Sequence, residues 1–509
     1  MNAHAASADS GKNYLNHERG LWSWIVTYDH KRIALLYLFS IMIFFFIAGV
    51  SALILRSELA RHGQQFLNSD QYNVLFTLHG AIMIFLFIVP GIPAVMGNFL
   101  IPLMIGAKDV AFPRLNLVSY YIYVIGAIMA VVGLLRPVDT GWTFYAPYSL
   151  SSNTGVILMT AAAFVLGFSS ILTGLNFIVT IHKLRAPGMT WNRLPVFIWA
   201  SYATAVIQTL ATPVVGISLL LVYIMVLPAF GIVGEIIPVF SRKPIFGYKA
   251  VCYASVAIAV VGFVVWAHHM FVAGISDASA IYFSAATFGV AIPTAVKVFN
   301  WVSTMYKGSI RFDTPMLYAM GFVFLFMIAG TTGVYLAVLA VDVYYHDTYF
   351  VVAHFHYTIQ GGAVIGLMAG LHFWFPKITG KHYNELAAKI AWVFVFFGFN
   401  LTFIPQFILG MEGMPRRYFD YPPEFEPMHF LSTVGAYFNA FGYTFALVNM
   451  AWSAFFGKVK AGRNPYESLS LEWQTESPPA HDNFPVTPVV TEWTYGYGTP
   501  IKGAAHSHA

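Results

Sequence analysis

The chain has 509 residues, of which 58% are hydrophobic and only 10% charged, with a formal net charge of +5. That charge is too small to point to nucleic acid, and none is expected as a partner. The single cysteine, Cys252, excludes an intrachain disulfide and any CxxC metal site. Many apolar runs reach ~20 residues, the length that crosses ~30 Å of hydrocarbon. The expected fold class is therefore all-α, a polytopic membrane protein.

The first thirty residues are mostly polar and show no secretory signal pattern. Twelve transmembrane helices are expected, at about 34–55, 74–104, 117–136, 154–181, 191–221, 223–240, 249–272, 278–303, 314–340, 351–375, 388–410 and 429–456. The connecting loops sort by charge. One side carries Lys31-Arg32, Lys108, Arg114, Lys183, Arg185, Arg193, Arg242-Lys243, Lys307, Arg311, Lys377, Lys381, Lys458, Lys460 and Arg463. The other carries Asp139, Asp277, Asp342, Asp347 and the acidic 412–426 segment. The basic side should be cytoplasmic, with both termini on it, in a bacterial inner membrane; a mitochondrial inner membrane is the less favoured setting. Arg416-Arg417 break this rule on the outer side and call for a specific anionic partner. The organisation reads as a cytoplasmic N-terminal segment (1–30), a twelve-helix domain (31–460) and a polar, partly ordered tail (461–509). His506 and His508 in the tail are expected to be solvated.

From Leu194 to Phe240 the chain is almost wholly apolar. One helix of that length would span about 70 Å, twice a bilayer, so it must be two. Yet residues 219–226 contain no polar turn and no charge. Lipid-exposed irregular backbone is strongly disfavoured. Either the hairpin is unusually tight, or a segment is missing at the Leu221–Val222 junction.

At least five histidines fall in apolar runs: His79, His268, His269, His354 and His356. His354 and His356, two apart, point about 200° from one another on a helix. They cannot easily share one metal but can each hold a different cofactor, and imidazole is a common haem ligand. The alternative is a pair hydrogen-bonded inside a bundle. His268 and His269 are adjacent, about 100° apart, and reach one metal only if the helix end is distorted. Together the five suggest two haems and a third, imidazole-preferring metal, copper above all.

These residues sit in a set of specific motifs: Asp29-His30-Lys31-Arg32, Leu78-His79-Gly80, the run Ile105–Asn116, Trp266–Met270, Pro293-Thr294-Ala295-Val296-Lys297, Tyr345–Tyr357 and Gly413–Tyr418. With them the chain, over about residues 20–460, resembles subunit I of the haem–copper oxygen reductases, the cytochrome c oxidase type in particular. The resemblance implies that His79 and His356 are the axial ligands of a low-spin haem. It implies that His354 is the proximal ligand of a high-spin haem that binds O2, and that His268 and His269 hold copper. His346 and Asp347 match a magnesium site, Arg416 and Arg417 the partners of haem propionates, and Arg56 the arginine beside the low-spin haem's formyl group. Asp109, Asn98 and Asn116 match the mouth of one proton route, Thr294 and Lys297 a second. A lysine within an apolar helix costs a few kcal/mol, which itself favours a functional role.

The resemblance has one gap. The family's Gly-His-Pro-Glu-Val-Tyr motif is reduced here to Val222-Tyr223. The histidine implied as third copper ligand and the glutamate implied as the end of the first proton route are absent, at the junction already singled out by polarity. Tyr223 matches the tyrosine expected to supply an electron and a proton. The expected function is that of the catalytic subunit of a terminal respiratory oxidase. It would reduce O2 to water with electrons from cytochrome c, coupled to proton translocation, alongside subunits II and III. The alternatives are a quinol oxidase, a nitric oxide reductase relative, a haem-carrying electron-transfer subunit without a complete copper site, and a twelve-helix transporter. The haems are expected to be haem A, although the same ligands hold a, o and b haems.

Overall fold

The computed structural model describes residues 12–134, 136–152, 154–215 and 221–497. Among these the secondary structure is helical, with two isolated bridges and no strand. Twelve helical stretches follow the expected order: α1 (His30–Glu58), α2 (Ser69–Ile105), α3 (Pro113–Leu134), α4 (Val156–Lys183), α5 (Val196–Val215), α6 (Leu221–Ser241), α7 (Tyr248–Gly262), α8 (Asp277–Met305), α9 (Thr314–Ala337), α10 (Tyr349–Thr379), α11 (Glu385–Met411) and α12 (Glu426–Phe456). Nine stretches among the described residues are long and apolar enough to cross a membrane; α5 and α7 are apolar but shorter, and α12 is not one of the nine. The coarse expectation of a polytopic helical membrane protein therefore stands.

Starts are set by local chemistry. Asp29 caps α1 by accepting from the Lys31 amide, and Asn68 forms a capping box with Gln71 before α2. Ser276 and Asn384 cap α8 and α11 in the same way. Consecutive helices pack as neighbours, most extensively α11 with α12 and α3 with α4. The central element is α6, buried throughout residues 224–241, whereas α1 exposes most of its apolar length. Apolar side chains such as Phe39 and Ile157 point outward, as a surface in hydrocarbon requires.

The apolar stretch 194–240 is two helices, α5 and α6, as its length demanded. The residues between them, 216–220, lie outside the described residues, as do His506 and His508.

Two helices depart from α geometry at telling places. In α2 the backbone becomes π-helical at Ile82–Ile88 and Gly91–Gly97, around Pro90 and Pro93, which lack the N–H that an α ladder needs. In α10 it does so at Ile359–Val364. Two of these segments, Ile82–Ile88 and Ile359–Val364, begin three residues after a half-buried histidine, His79 in one case and His356 in the other.

The tail packs back under the helices. Tyr495, Trp473 and Phe484 are buried. Asn483 bonds the Lys31 ammonium (2.8 Å) and the Ala107 and Lys108 carbonyls (2.9 and 3.1 Å). It thereby fixes the loop that carries Asp109.

Candidate metal centre

The helices enclose a continuous cavity of about 1030 Å³. All five expected histidines line it, together with Arg56, Tyr223, Thr294, Arg416 and Arg417. Cofactor sites typically run ~300–1,000 Å³, so this one stands at the upper end.

His79 on α2 and His356 on α10 face each other with ring centres 6.5 Å apart and planes 12° apart. With metal–imidazole bonds of about 2.0–2.1 Å on each side, one shared ion needs ring centres roughly 6.5 Å apart. Both rings are oriented by a carbonyl: His79 Nδ1 bonds Ala48 O at 2.9 Å and His356 Nδ1 bonds Val352 O at 2.8 Å. Each Nδ1 must therefore carry the proton, which leaves the two Nε2 lone pairs for a metal. The residues fit an axially ligated haem iron. Gly80 leaves space for Trp142, since a Cβ there would sit 2.6 Å from the indole.

His354 points to the other side of α10, as the two-residue spacing predicts. Its Nδ1 bonds Thr332 Oγ1 at 3.0 Å, and Gly333 on the same neighbouring helix leaves room for the ring, a Cβ there lying 3.0 Å from His354 Cε1. His268 and His269 lie in a 3₁₀ segment, Trp266–Met270, rather than on a regular helix. The distortion brings their rings to 4.2 Å between centres. Thr287 holds His268 through Nδ1 at 2.9 Å. Two imidazoles thus face the cavity on the side of His354, and no group of three or more metal-binding side chains forms among the described residues. Tyr223 packs against Gly262 on α7, where a Cβ would sit 2.9 Å from its ring.

At the rim of the cavity, among the described residues, Arg416 and Arg417 have one carboxylate between them: Asp347, 3.4 Å from Arg416 Nε. Burial beside Arg417 draws the Arg416 guanidinium down to about 10. Arg417 Nε is buried and unpartnered. This excess of buried positive charge fits the carboxylates of a bound haem. His346 Nδ1 bonds Asp342 at 3.0 Å, which raises its affinity for a proton. Its Nε2 stands 3.8 Å from Asp347.

Lys297 on α8 is fully buried, with Nζ donating to Ser255 Oγ at 2.6 Å and lying over the Phe230 ring. Thr294, one turn nearer the outer end, lines the cavity; Lys297 does not. On the basic side, burial raises the Asp109 carboxyl to about 7. Asn98 and Asn116 are buried, and Asn98 Oδ1 and both polar atoms of Asn116 have no protein partner. Buried polar atoms of this kind are ordinarily met by water.

The chain matches the family model described as "Cytochrome C and Quinol oxidase polypeptide I" over residues 32–438. The chain belongs to this family. Cytochrome c oxidase subunit 1 of Thermostichus vulcanus is 43% identical, with 94% of each chain covered. That of Bacillus subtilis is 40% identical, over 92% of this chain and 82% of the relative, and that of Cereibacter sphaeroides 39%, over 96% and 99%. A solved structure described as a heme-copper terminal oxidase dimer superposes with a TM-score of 0.69 over 86% of both chains, at 20% identity. As a member of the oxidase family the chain is the catalytic subunit of a terminal oxidase, a membrane oxidoreductase of respiratory electron transport that works with haems and copper and with other subunits.

The alignments with the T. vulcanus and C. sphaeroides relatives run over 517 and 559 positions, longer than this 509-residue chain. These oxidases therefore carry residues with no counterpart here.

Sequence reasoning missed the residues that orient the histidines. Thr332 and Thr287 are hydroxyls within apolar helices, and that isolation was the available signal. It also missed a buried hydroxyl cluster above Asn116: Tyr37 OH meets Ser119 Oγ at 2.9 Å and Ser169 Oγ at 3.2 Å, and Ser119 meets Thr173 at 2.8 Å.

Proposed function

We propose that this oxidase subunit takes its electrons from cytochrome c, through a partner subunit II and beside a subunit III, and couples O2 reduction to proton translocation. Its setting is a bacterial inner membrane, crossed twelve times, with both termini on the basic, cytoplasmic side. The observation that carries the reading is the parallel pair His79–His356, whose spacing and tautomers suit one metal between them.

His79 and His356 hold a low-spin haem and His354 a high-spin haem, of the A type. His268 and His269 hold copper. That set is short of the third imidazole, which the resemblance expects just before Val222-Tyr223. Arg416 and Arg417 bind the propionates, Arg56 binds the low-spin haem's edge, and His346 with Asp347 supplies two ligands for a magnesium ion. When bound, the haems and copper supply the O2-binding site and the electrons.

The protein's part is orientation and protons. Thr332 and Thr287 keep the His354 and His268 rings turned to the cavity. Reducing oxygen to water consumes protons, which must reach a site sealed in apolar helix. Lys297 Nζ takes a proton from the basic side and passes it toward Thr294 and Tyr223. Asp109 collects protons for a second route past Asn98 and Asn116.

The donor is tested by oxygen uptake in isolated membranes. Reduced cytochrome c should sustain it and a short-chain quinol should not; the reverse would make this a quinol oxidase. Asp109 supplies a pH prediction. With its carboxyl near 7, it is protonated below that pH and able to accept above it. Oxygen uptake by the wild type should show an inflection near pH 7. Asp109→Asn, which cannot titrate, should lose the inflection and slow proton-coupled turnover on the order of 10²-fold. An unchanged profile would remove Asp109 from the route.

A further inference from the structure

Arg56 stands in the last turn of α1 and lines the cavity. It is only 9% exposed. The arginine ion pairs among the described residues belong to Arg32, Arg242, Arg311 and Arg416, and Arg56 makes none. Its guanidinium is gripped instead by the first turns of α12. Nη2 donates to the His429 carbonyl at 2.7 Å and to Thr433 Oγ1 at 3.1 Å, and both terminal nitrogens face His429 Nδ1 at 3.4 and 3.5 Å. Nε–H is buried without a partner.

The His429 ring is clamped. Tyr421 stacks on it at 4.0 Å between centres, and Tyr349 meets it edge-on at 5.1 Å. Tyr421 in turn donates to the Leu59 carbonyl at 2.8 Å, and Thr433 to the Arg56 carbonyl at 2.8 Å, so the clamp is tied to α1 itself. A guanidinium offers only donors. The nitrogen facing it, Nδ1, must be the unprotonated one, and His429 is held as a neutral acceptor. An unpaired buried cation with a free N–H is costly unless an acceptor occupies the space beside it. Arg56 lies eight residues beyond Ala48, whose carbonyl orients His79, and so about 12 Å further along the same helix.

We propose that His429 is a positioning residue that aims Arg56 at an oxygen acceptor on the rim of the haem held by His79 and His356, and through it sets that haem's absorption and reduction potential. The inference rests on the haem assignment above. A cationic donor to an acceptor conjugated with the macrocycle draws electron density outward. It moves the visible band to longer wavelength and makes reduction easier.

The test is the reduced optical spectrum and redox titration of the low-spin haem in the purified oxidase. Four variants are compared with the wild type: His429→Leu, His429→Asn, Thr433→Val and Arg56→Met. His429→Leu and Thr433→Val each remove one side-chain acceptor and should shift the band to shorter wavelength and lower the potential, by less than Arg56→Met does. His429→Asn retains an acceptor and should restore most of the wild-type band. Haem content reports whether each variant has assembled, and Thr433→Val stands in if His429→Leu has not. An unmoved band in His429→Leu and Thr433→Val, with Arg56→Met shifted, overturns the proposal and leaves the haem assignment intact. An unmoved band in all three overturns both the proposal and Arg56's contact with that haem.

Discussion

Replacing His354 by Ala should abolish carbon monoxide and oxygen binding while the low-spin haem spectrum persists. Among the five histidines, His79 and His356 pair with one another and His268 and His269 with each other, whereas His354 has no histidine ring contact among the described residues. Its Nδ1 is committed to Thr332 Oγ1, and Gly333 leaves its ring room. Loss of a mere orienting partner lowers metal affinity ~10–100-fold, and loss of the ligand itself should exceed that, taking oxidase turnover to background. His79 and His356 lie on the other side of α10 and keep their carbonyl partners, so their band at the low-spin site should be unchanged. Carbon monoxide still binding a high-spin iron in His354→Ala would move the proximal ligand to another residue.

Lys297→Met should leave the fold at least as stable and still slow oxygen consumption on the order of 10²-fold or more. A cationic side chain deep in an apolar helix is disfavoured by about 2.5–3.5 kcal/mol, and the methionine removes that burden at similar length. Among the described residues the ammonium has a single hydrogen-bonding partner, Ser255 Oγ, and no carboxylate. Such a group gains little from packing, and the role proposed for it is to pick up and give away a proton. The variant should retain both haem signals and show a turnover deficit that the supply of cytochrome c does not relieve. Wild-type turnover in a well-assembled variant would make Lys297 structural.

Much of this was legible in the residues. Apolar run lengths pointed to a polytopic helical bundle, nine of whose stretches among the described residues are long and apolar enough to cross a membrane, and the angle of about 200° between His354 and His356 separates their partners. The apolar length of 194–240 required two helices, which are present. Other features were not legible because they depend on approach between distant segments. The 3₁₀ turn at Trp266–Met270 that brings His268 and His269 together has no composition signal, and neither does the π segment that follows His356. Single threonines in apolar helices look like tolerated polar residues until a histidine is found 3.0 Å away. The tail read as a polar extension, yet Asn483 reaches under α1 to brace the Asp109 loop, a contact spanning several hundred residues of sequence. Arg56 could be matched by resemblance, but its dependence on His429 required the geometry of α12.

The haem content of the purified chain tests the central claim most directly. Pyridine haemochrome analysis against protein concentration should give two haems per chain, one at the His79–His356 site and one at His354. A chain that assembles in membranes and carries no haem would contradict the account, and its five cavity histidines would then be structural.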